Sequence, residues 1–546
     1  MTSAPIGRLN RYLAWIPPSP RPLVRDAMCA NKYSMISVSI VAILVVAVYA
    51  VMFGNYRPHT AIDTPWELSW SYNYCIRGID TDVTFGTTFP TGPGGTVAFG
   101  KLAAMVQCAA LAPFNWSLVA ANVLSVAGVA LSMAVIFTFL VGEGFGRLGA
   151  VTCCLTLAAT EPFVAMANIS RYDYVTFLLA VCGLLLAARR HLLLSGFIST
   201  LAIEVHPIGI MAPIYLIAYE LGRMIQARRY HLELGGVAKM ALGGALGLAI
   251  YWILHPHILA LLAASPNPAE WYPSSHFLYG YFFEQRLYRH LPELSVFAAC
   301  LLVHIWRRDY IQWPFPIIAS LATLFMGFLL PHGNFYYTPF WYFPSFLLVF
   351  LTVSASLRAI VLPVFVLVLF VPQYAVAYVW GHKYSYARQG ELQVARSAIA
   401  SRGTDLSHAH IFGDFTFWPV FKDLSFEWSP SFWFNQRSMP RGTSYLICSL
   451  DPPFSPQELV CADELLVFSD MQLVEKFSWV GRDYLIYEWR DCDAVARSLR
   501  EAAVALFAVA KVFRQIEGIL LCRLNCRIHK GTALRLEKRN GRRQRS

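Results

Sequence analysis

Charge is scarce in this sequence: 14% of its 546 residues are Asp, Glu, Lys or Arg, against 56% hydrophobic, and the mean hydropathy is +0.47. A soluble chain of this size carries about 25% charged residues, so the scarcity excludes an ordinary soluble enzyme and makes lipid the main solvent. Strict alternation of polar and apolar residues is missing as well, which excludes a membrane β-barrel. There is no two-fold internal repeat of the kind many transporters carry, and no Cys/His spacing that suits zinc. The twelve cysteines are scattered. Cys108, Cys153, Cys154, Cys182 and Cys300 fall inside apolar runs, where they read as small hydrophobes. Cys448 and Cys461 lie in a polar region and either pair, if that region is extracytoplasmic, or are two unrelated thiols.

What the chain does have is a series of apolar runs of a length that crosses a hydrocarbon core of about 30 Å as an α-helix. The first, SMISVSIVAILVVAVYAVMF over 34–53, follows Arg8, Arg11, Arg21, Arg25 and Lys32. It is longer than a signal-peptide core and no small-x-small cleavage pattern follows, so it reads as a span behind a cytoplasmic basic N-terminus, 1–33. The formal net charge of +11 is concentrated in this segment, in short connections and at the C-terminus. That distribution reports topology and is no nucleic-acid footprint.

Basic connections belong on the cytoplasmic side, which makes the crossing count a constraint. The run over 97–112 is short and holds Lys101 and Gln107. Were it a span, Arg189, Arg190, Arg223, Arg307, Arg308 and Arg358 would all fall outside. The reading that keeps them inside makes it an interfacial helix within an outer loop, 54–116. Spans then run over 117–141, 148–166, 173–188, 192–205, 207–222, 236–254, 294–306, 313–330, 336–354 and 358–380, eleven with the first. The pair around Pro207 is too short for two ordinary spans and predicts a broken hairpin with its apex on the outer side. The expected fold is a polytopic α-helical membrane protein, its transmembrane domain covering 34–380.

An odd count places the remainder outside. Residues 381–491 gain charge, and HAHIF, SYLICSL, LLVFS and YLIYEW read as short strands following a helix near 391–401, a small extracytoplasmic α/β domain. The tail, 492–546, reads either as an amphipathic interfacial helix with a basic end that suits anionic membrane lipids or as a twelfth span that returns this end to the cytoplasm.

This topology gathers polar residues at one face: Asp63 and Glu67, four apart and on one side of a helix; Asn168, Arg171 and Asp173 in NISRYDYV; Glu204 and His206 in EVHP; and His332, Asn334, Tyr336 and Tyr337 in PHGNFYYTPFWYFP. Ionisable groups at membrane depth are costly and usually have a task. For each a plain alternative exists: a solvated loop acid or helix cap for Asp63, an Arg171–Asp173 pair closing a span end, satisfied interfacial histidines, and an aromatic belt for Tyr336 and Tyr337. Asp80 and Asp82 read as surface charges of the loop.

The order of these features resembles the GT-C class of integral-membrane glycosyltransferases, in particular the branch with aminoarabinose transferases and protein O-mannosyltransferases. The resemblance covers roughly 34–490. It rests on the acidic first outer loop (Asp63), the interfacial helix after it, SRYD opening a span that ends in ARR, GFISTLAIEVHP, and HGNFYYTPFWYFP. It implies a bacterial inner-membrane enzyme with its site facing the periplasm. The implied donor is a polyprenyl-phosphate sugar, the acceptor a glycan, lipid or protein, and the displacement inverting. Asp63 is then the base that takes the acceptor proton, with Asp173 the second catalytic acid. Arg171, with His206 and His332, meets the donor phosphate, and Glu67, Glu204, Tyr336 and Tyr337 line the substrate. Asp173 either orients Arg171 or shares a divalent cation (Mg or Mn) with Asp63. Two departures stand out: Asp63 is not directly followed by a second acid, and no Lys or Arg lies beside the tyrosines, which leaves His332. A transporter or flippase of lipid-linked sugar would show midplane sites and repeats. Neither midplane sites nor repeats are present, and a surface-polysaccharide polymerase or ligase, the other alternative, would centre on a large late outer loop rather than on an acidic loop after the first span.

Overall fold

A backbone whose solvent is lipid must satisfy its own N–H and C=O groups, and a helix does so within each segment. The computed structural model describes residues 27–54, 63–80, 99–168, 170–226, 234–257, 291–307, 314–329, 338–352, 389–402, 406–414, 417–428, 443–449, 471–479 and 482–490, and at some element ends, Asp63 included, the backbone alone. Helices dominate up to Thr352: α1 (Ala27–Gly54), α2 (Asp63–Tyr72), α3 (Lys101–Leu111), α4 (Leu118–Gly142), α5 (Arg147–Ala158), α6 (Glu161–Asn168), α7 (Asp173–Ala188), α8 (Leu192–Val205), α9 (Met211–Gln226), α10 (Leu234–Leu254), α11 (Leu291–Arg307), α12 (Phe315–Leu329) and α13 (Thr338–Thr352).

Among the described residues, Leu118–Gly142, Pro207–Gln226 and Gly235–Leu254 are long and apolar enough to cross a membrane. Other apolar helices, such as Asp173–Ala188 and Leu192–Val205, are shorter. The expected span over 358–380 lies outside the described residues. The expected span over 148–166 is bent by 66° between two helices, α5 and α6, which are long and apolar enough to cross only when taken together. Pro162 explains the break, since it lacks an N–H and its ring clashes with the preceding turn. The Thr160 hydroxyl donates to Leu157 O at 2.7 Å there. The run over 97–112 yields α3, 11 residues ending in a 3-10 turn, Ala112–Phe114. At about 1.5 Å per residue it is too short to cross. The hairpin break falls where expected, at His206, which is extended between α8 and a 3-10 turn, Pro207–Ile210.

Helix connections sort into two ends. At one, Arg190 pairs with Glu220 at 3.2 Å and Tyr219 donates to Glu143 Oε1 at 2.6 Å. At the other, α2, the start of α3, the α6–α7 turn, the α8–α9 break and the C-terminus of α10 meet through contacts given below. Small residues let the helices approach, as in lipid they must, because apolar side chains gain little by leaving it for one another. A Cβ on Gly196 would strike the Met240 carbonyl oxygen and one on Gly243 that of Leu193, so α8 and α10 touch backbone to backbone.

One cysteine assignment is corrected. Cys108, expected as a small hydrophobe in an apolar run, is disulfide-bonded to Cys75 in the π-helical turn Asn73–Arg77 that continues α2. Apolar neighbours in sequence say nothing of a thiol on another turn. Closing a loop of this 33-residue separation removes unfolded-chain entropy of about 3–4 kcal/mol in the chain-entropy account.

The C-terminal region forms a five-stranded mixed sheet in the order β2-β1-β3-β5-β4, from β1 (His410–Gly413), β2 (Ser425–Trp428), β3 (Thr443–Ser449), β4 (Met471–Trp479) and β5 (Arg482–Arg490). β1 is parallel to β2 and β3, and β5 antiparallel to β3 and β4. β1, β3 and β5 match HAHIF, SYLICSL and YLIYEW; LLVFS lies outside the described residues. Helix α14 (Gln389–Ala400) precedes the sheet and buries Leu392, Ala395 and Ile399 at three- and four-residue spacing. Cys448 on β3 is disulfide-bonded, while Cys461 lies outside the described residues. The sheet core runs on into the helices, with Leu68, Tyr72, Leu111, Trp116 and Leu118 in one buried cluster with Ile411, Trp418, Tyr445 and Ile486. Polar contacts pin this junction: Tyr72 donates to Asp423 Oδ1 at 2.9 Å, and Arg77 to the Lys422 and Leu424 carbonyls, each at 3.0 Å.

Gly243→Val is expected to cost about 1–3 kcal/mol through overpacking, read as a lowered thermal midpoint of the purified protein. Gly235→Val, where nothing lies within 4 Å of an added Cβ, serves as control. Equal losses at both positions would refute the backbone contact as the cause.

Candidate functional site

Two buried polar groups meet at one end of the helices. The first is built on the tight turn between α6 and α7, where Asp173 opens α7 and so sits where a helix dipole favours an acid. Tyr172, the N-cap, has no side-chain cap of its own. Its N–H donates instead to Glu67 Oε2 of α2 at 2.7 Å, and its hydroxyl lies 3.1 Å from Glu67 O and 2.6 Å from Ser71 Oγ. Arg171, next to it, pairs through Nε with Asp173 Oδ2 at 3.1 Å and Glu67 Oε1 at 3.6 Å. All three side chains are at most 5% exposed. One guanidinium thus holds two acids from different elements, and removing one partner from such a buried group costs about 3–5 kcal/mol.

The second group is built on Glu204, fully buried at the end of α8. The first N–H groups of α3 have no intrahelical acceptor. Glu204 supplies one: Oε1 accepts from Lys101 N at 2.8 Å, Oε2 from Leu102 N at 3.2 Å, and the Glu204 carbonyl from Gly100 N at 2.6 Å. His255, just past α10, adds Nε2 at 2.9 Å from Glu204 Oε1. Lys101 Nζ reaches Asp80 Oδ2 at 2.6 Å and the Leu254 carbonyl at 2.7 Å, tying α3 to the last turn of α10. Gly100 is required here: its φ is +90°, and a Cβ would lie 2.7 Å from the Tyr172 ring.

The two groups are joined by Trp70, whose ring packs on Tyr172 and stacks on Tyr74, and by Phe99, whose ring is 5.2 Å from that of His206. His206 Nδ1 accepts Ile208 N–H at 3.2 Å, capping the 3-10 turn. Burial first, and then the nearby Arg171 charge, hold its imidazole well below the usual histidine range. Nδ1 is thus committed to the turn, and the permanent charge that this imidazole feels is that of Arg171.

Of the residues expected at the site, Glu67, Arg171, Asp173, Glu204 and His206 gather at this end. Asp63 begins α2 one turn before Glu67, roughly 6 Å along the helix axis, and its side chain lies outside the described residues. His332, Tyr336 and Tyr337 lie outside them entirely, as does Asp82. Glu67 is tied to Arg171 and Tyr172, and Glu204 caps α3, so both carry a structural duty. Glu67 and Asp173 have a guanidinium between them, so both carboxylates are already paired. Among the described residues no group of three or more His, Cys, Asp or Glu is placed to hold a metal ion. Tyr172, Lys101, Asp80 and His255 were not foreseen as members. A lysine inside an apolar run was the one signal for Lys101; the other three have none, because their partners are remote in sequence. No protein-family model, curated protein or solved structure matches the chain.

Glu204→Ala removes the acceptor for Lys101 N, Leu102 N and His255 together and is expected to cost several times the roughly 1–3 kcal/mol of one lost acceptor. Glu204→Gln, which keeps a carbonyl oxygen, should recover most of the loss; equal melting of both variants would refute the capping role. A histidine whose folded pKa is depressed costs stability as pH falls through the unfolded value of 6.5, because the unfolded chain takes up the proton first. Between pH 7.5 and 5.5 the thermal midpoint of His206→Asn, which can still cap Ile208, should fall less than that of the wild type. Parallel curves would show that His206 is not the group.

Proposed function

We propose that this chain is a glycosyltransferase that moves a sugar from a polyprenyl-phosphate donor to a lipid, glycan or protein acceptor at the extracytoplasmic face of a membrane. The eleven-span topology, the bacterial inner membrane and the periplasmic orientation belong to the same proposal. One observation carries it: in a chain poor in charge, Glu67, Arg171, Asp173, Glu204 and His206, drawn from three separate stretches, are buried together at one end of the helices. The motif order that resembles GT-C enzymes supports it from the sequence side.

The chemistry needs three things. An acceptor hydroxyl attacks the anomeric carbon and loses a proton, which a carboxylate within hydrogen-bond reach takes; Asp63, on the helix that carries Glu67, is that base. The bond from the anomeric carbon to the lipid-phosphate oxygen breaks, and the departing phosphate needs a positive group that is already oriented. Arg171 supplies it, and the 3.1 Å pair supports an orienting role for Asp173. His206, which feels the Arg171 charge, is a further polar group on the donor side. The third requirement is exclusion of water, which the burial of these side chains favours.

Deletion of the gene should remove one sugar from the envelope glycans or lipids in mass spectra, and the intact gene should restore it. Asp63→Asn should reduce restoration by about 100-fold or more, the low end of what a lost general base costs. Asp173→Asn should reduce it less, with normal membrane insertion in both. Full restoration by both variants would overturn the site, and an unchanged glycan profile in the deletion would overturn the activity.

A further inference from the structure

The disulfide between Cys75 and Cys108 was no part of the functional reading, yet it bridges the two elements on which the site is mounted. Helix α2 is ten residues long, too short to be stable alone, and it carries Glu67, which holds Arg171 and Tyr172. Helix α3 is fastened at its first turn by Glu204 and Lys101. Cys108 sits near its other end, and Cys75 one turn beyond the last residue of α2, so the bond closes the far side of a frame whose near side is the polar group on Glu204. Both cysteines are partly exposed, within reach of a partner protein.

We propose that this bond is made by thiol–disulfide exchange with an oxidoreductase of the extracytoplasmic compartment, and that it sets α2 against α3 in the arrangement that presents Glu67 to Arg171. One cysteine thiolate attacks the disulfide of the oxidant, forming a mixed disulfide and releasing one oxidant thiol. The second thiolate then attacks the mixed disulfide, closing Cys75–Cys108 and releasing the reduced oxidant. Two electrons and two protons pass from the chain to the oxidant. Sidedness follows without reference to charge. Structural disulfides persist where the compartment is oxidising, and the sheet, whose Cys448 is also disulfide-bonded, packs on the same α2–α3 unit. The frame, the sheet and the Arg171 turn therefore share the non-cytoplasmic face. The end with Glu143, Arg190, Glu220 and Arg223 faces the cytoplasm, where the distribution of basic residues also puts it.

Differential alkylation of the full-length protein tests this. Membranes are denatured in N-ethylmaleimide, reduced, and treated with an isotopically heavy maleimide before peptide mass spectrometry. Cys75 and Cys108 should both carry the heavy label, and light label on both would overturn the proposal. In intact cells stripped of their outer envelope, an impermeant reductant followed by an impermeant maleimide should reach the pair. Labelling that requires permeabilised membranes would overturn the sidedness. Neither readout depends on glycosyl transfer, so either succeeds or fails apart from the proposed function. The last arm rests on that function: Cys75→Ser and Cys108→Ser, singly and together, should insert normally and lose glycan restoration, and full restoration by the double variant would overturn the positioning role of the bond.

Discussion

Arg171 is buried at one end of an apolar helical protein, and it is stable there because two carboxylates from different elements come to it. An isolated guanidinium in such surroundings is expensive. Glu67 and Asp173 offset that cost, and the arrangement constrains everything near it: α2 must lie against the α6–α7 turn, Tyr172 must face α2, and Gly100 must leave room for the Tyr172 ring. One ion-paired group therefore fixes the relation of the outer loop to the helices.

A parallel constraint governs α3. Helix ends expose N–H groups that lipid cannot satisfy, and Glu204 resolves this from another helix by taking the first N–H groups of α3 itself. Such capping across helices fastens this short helix into the tertiary structure. The sheet is coupled to the same unit through Tyr72 and Asp423. Burial first, and then the Asp423 carboxylate, push the Tyr72 hydroxyl above its usual pKa, so it remains a donor throughout the neutral range. A displacement of the sheet would thus be felt on α2, two turns from Asp63.

Much of the architecture was legible in the residues. Apolar run length marked the helices, the Lys101 in a short run marked α3 as too short to cross, and His206–Pro207 marked the break between α8 and α9. The α5–α6 bend was missed because hydropathy does not register a single proline. The Cys75–Cys108 bond was missed because Cys108 was judged by its neighbours along one helix. Within the candidate site, SRYD and EVHP drew attention to Arg171, Asp173, Glu204 and His206. What the motifs did not show is the structural duty of Glu204, whose carboxylate accepts the first N–H groups of α3.

The sequence by itself determined that this is a helical chain suited to lipid, which segments form its helices, and that a small strand-rich region follows them, since length, apolarity and turn chemistry are properties of each segment alone. Tertiary structure decided which polar residues meet. Glu67 finds the Tyr172 amide 105 positions away, Lys101 finds the Leu254 carbonyl 153 positions away, and Tyr72 finds Asp423 351 positions away. No local pattern encodes such separations. They arise because buried charges and helix ends must be satisfied within the protein, and only the packed chain supplies the partner.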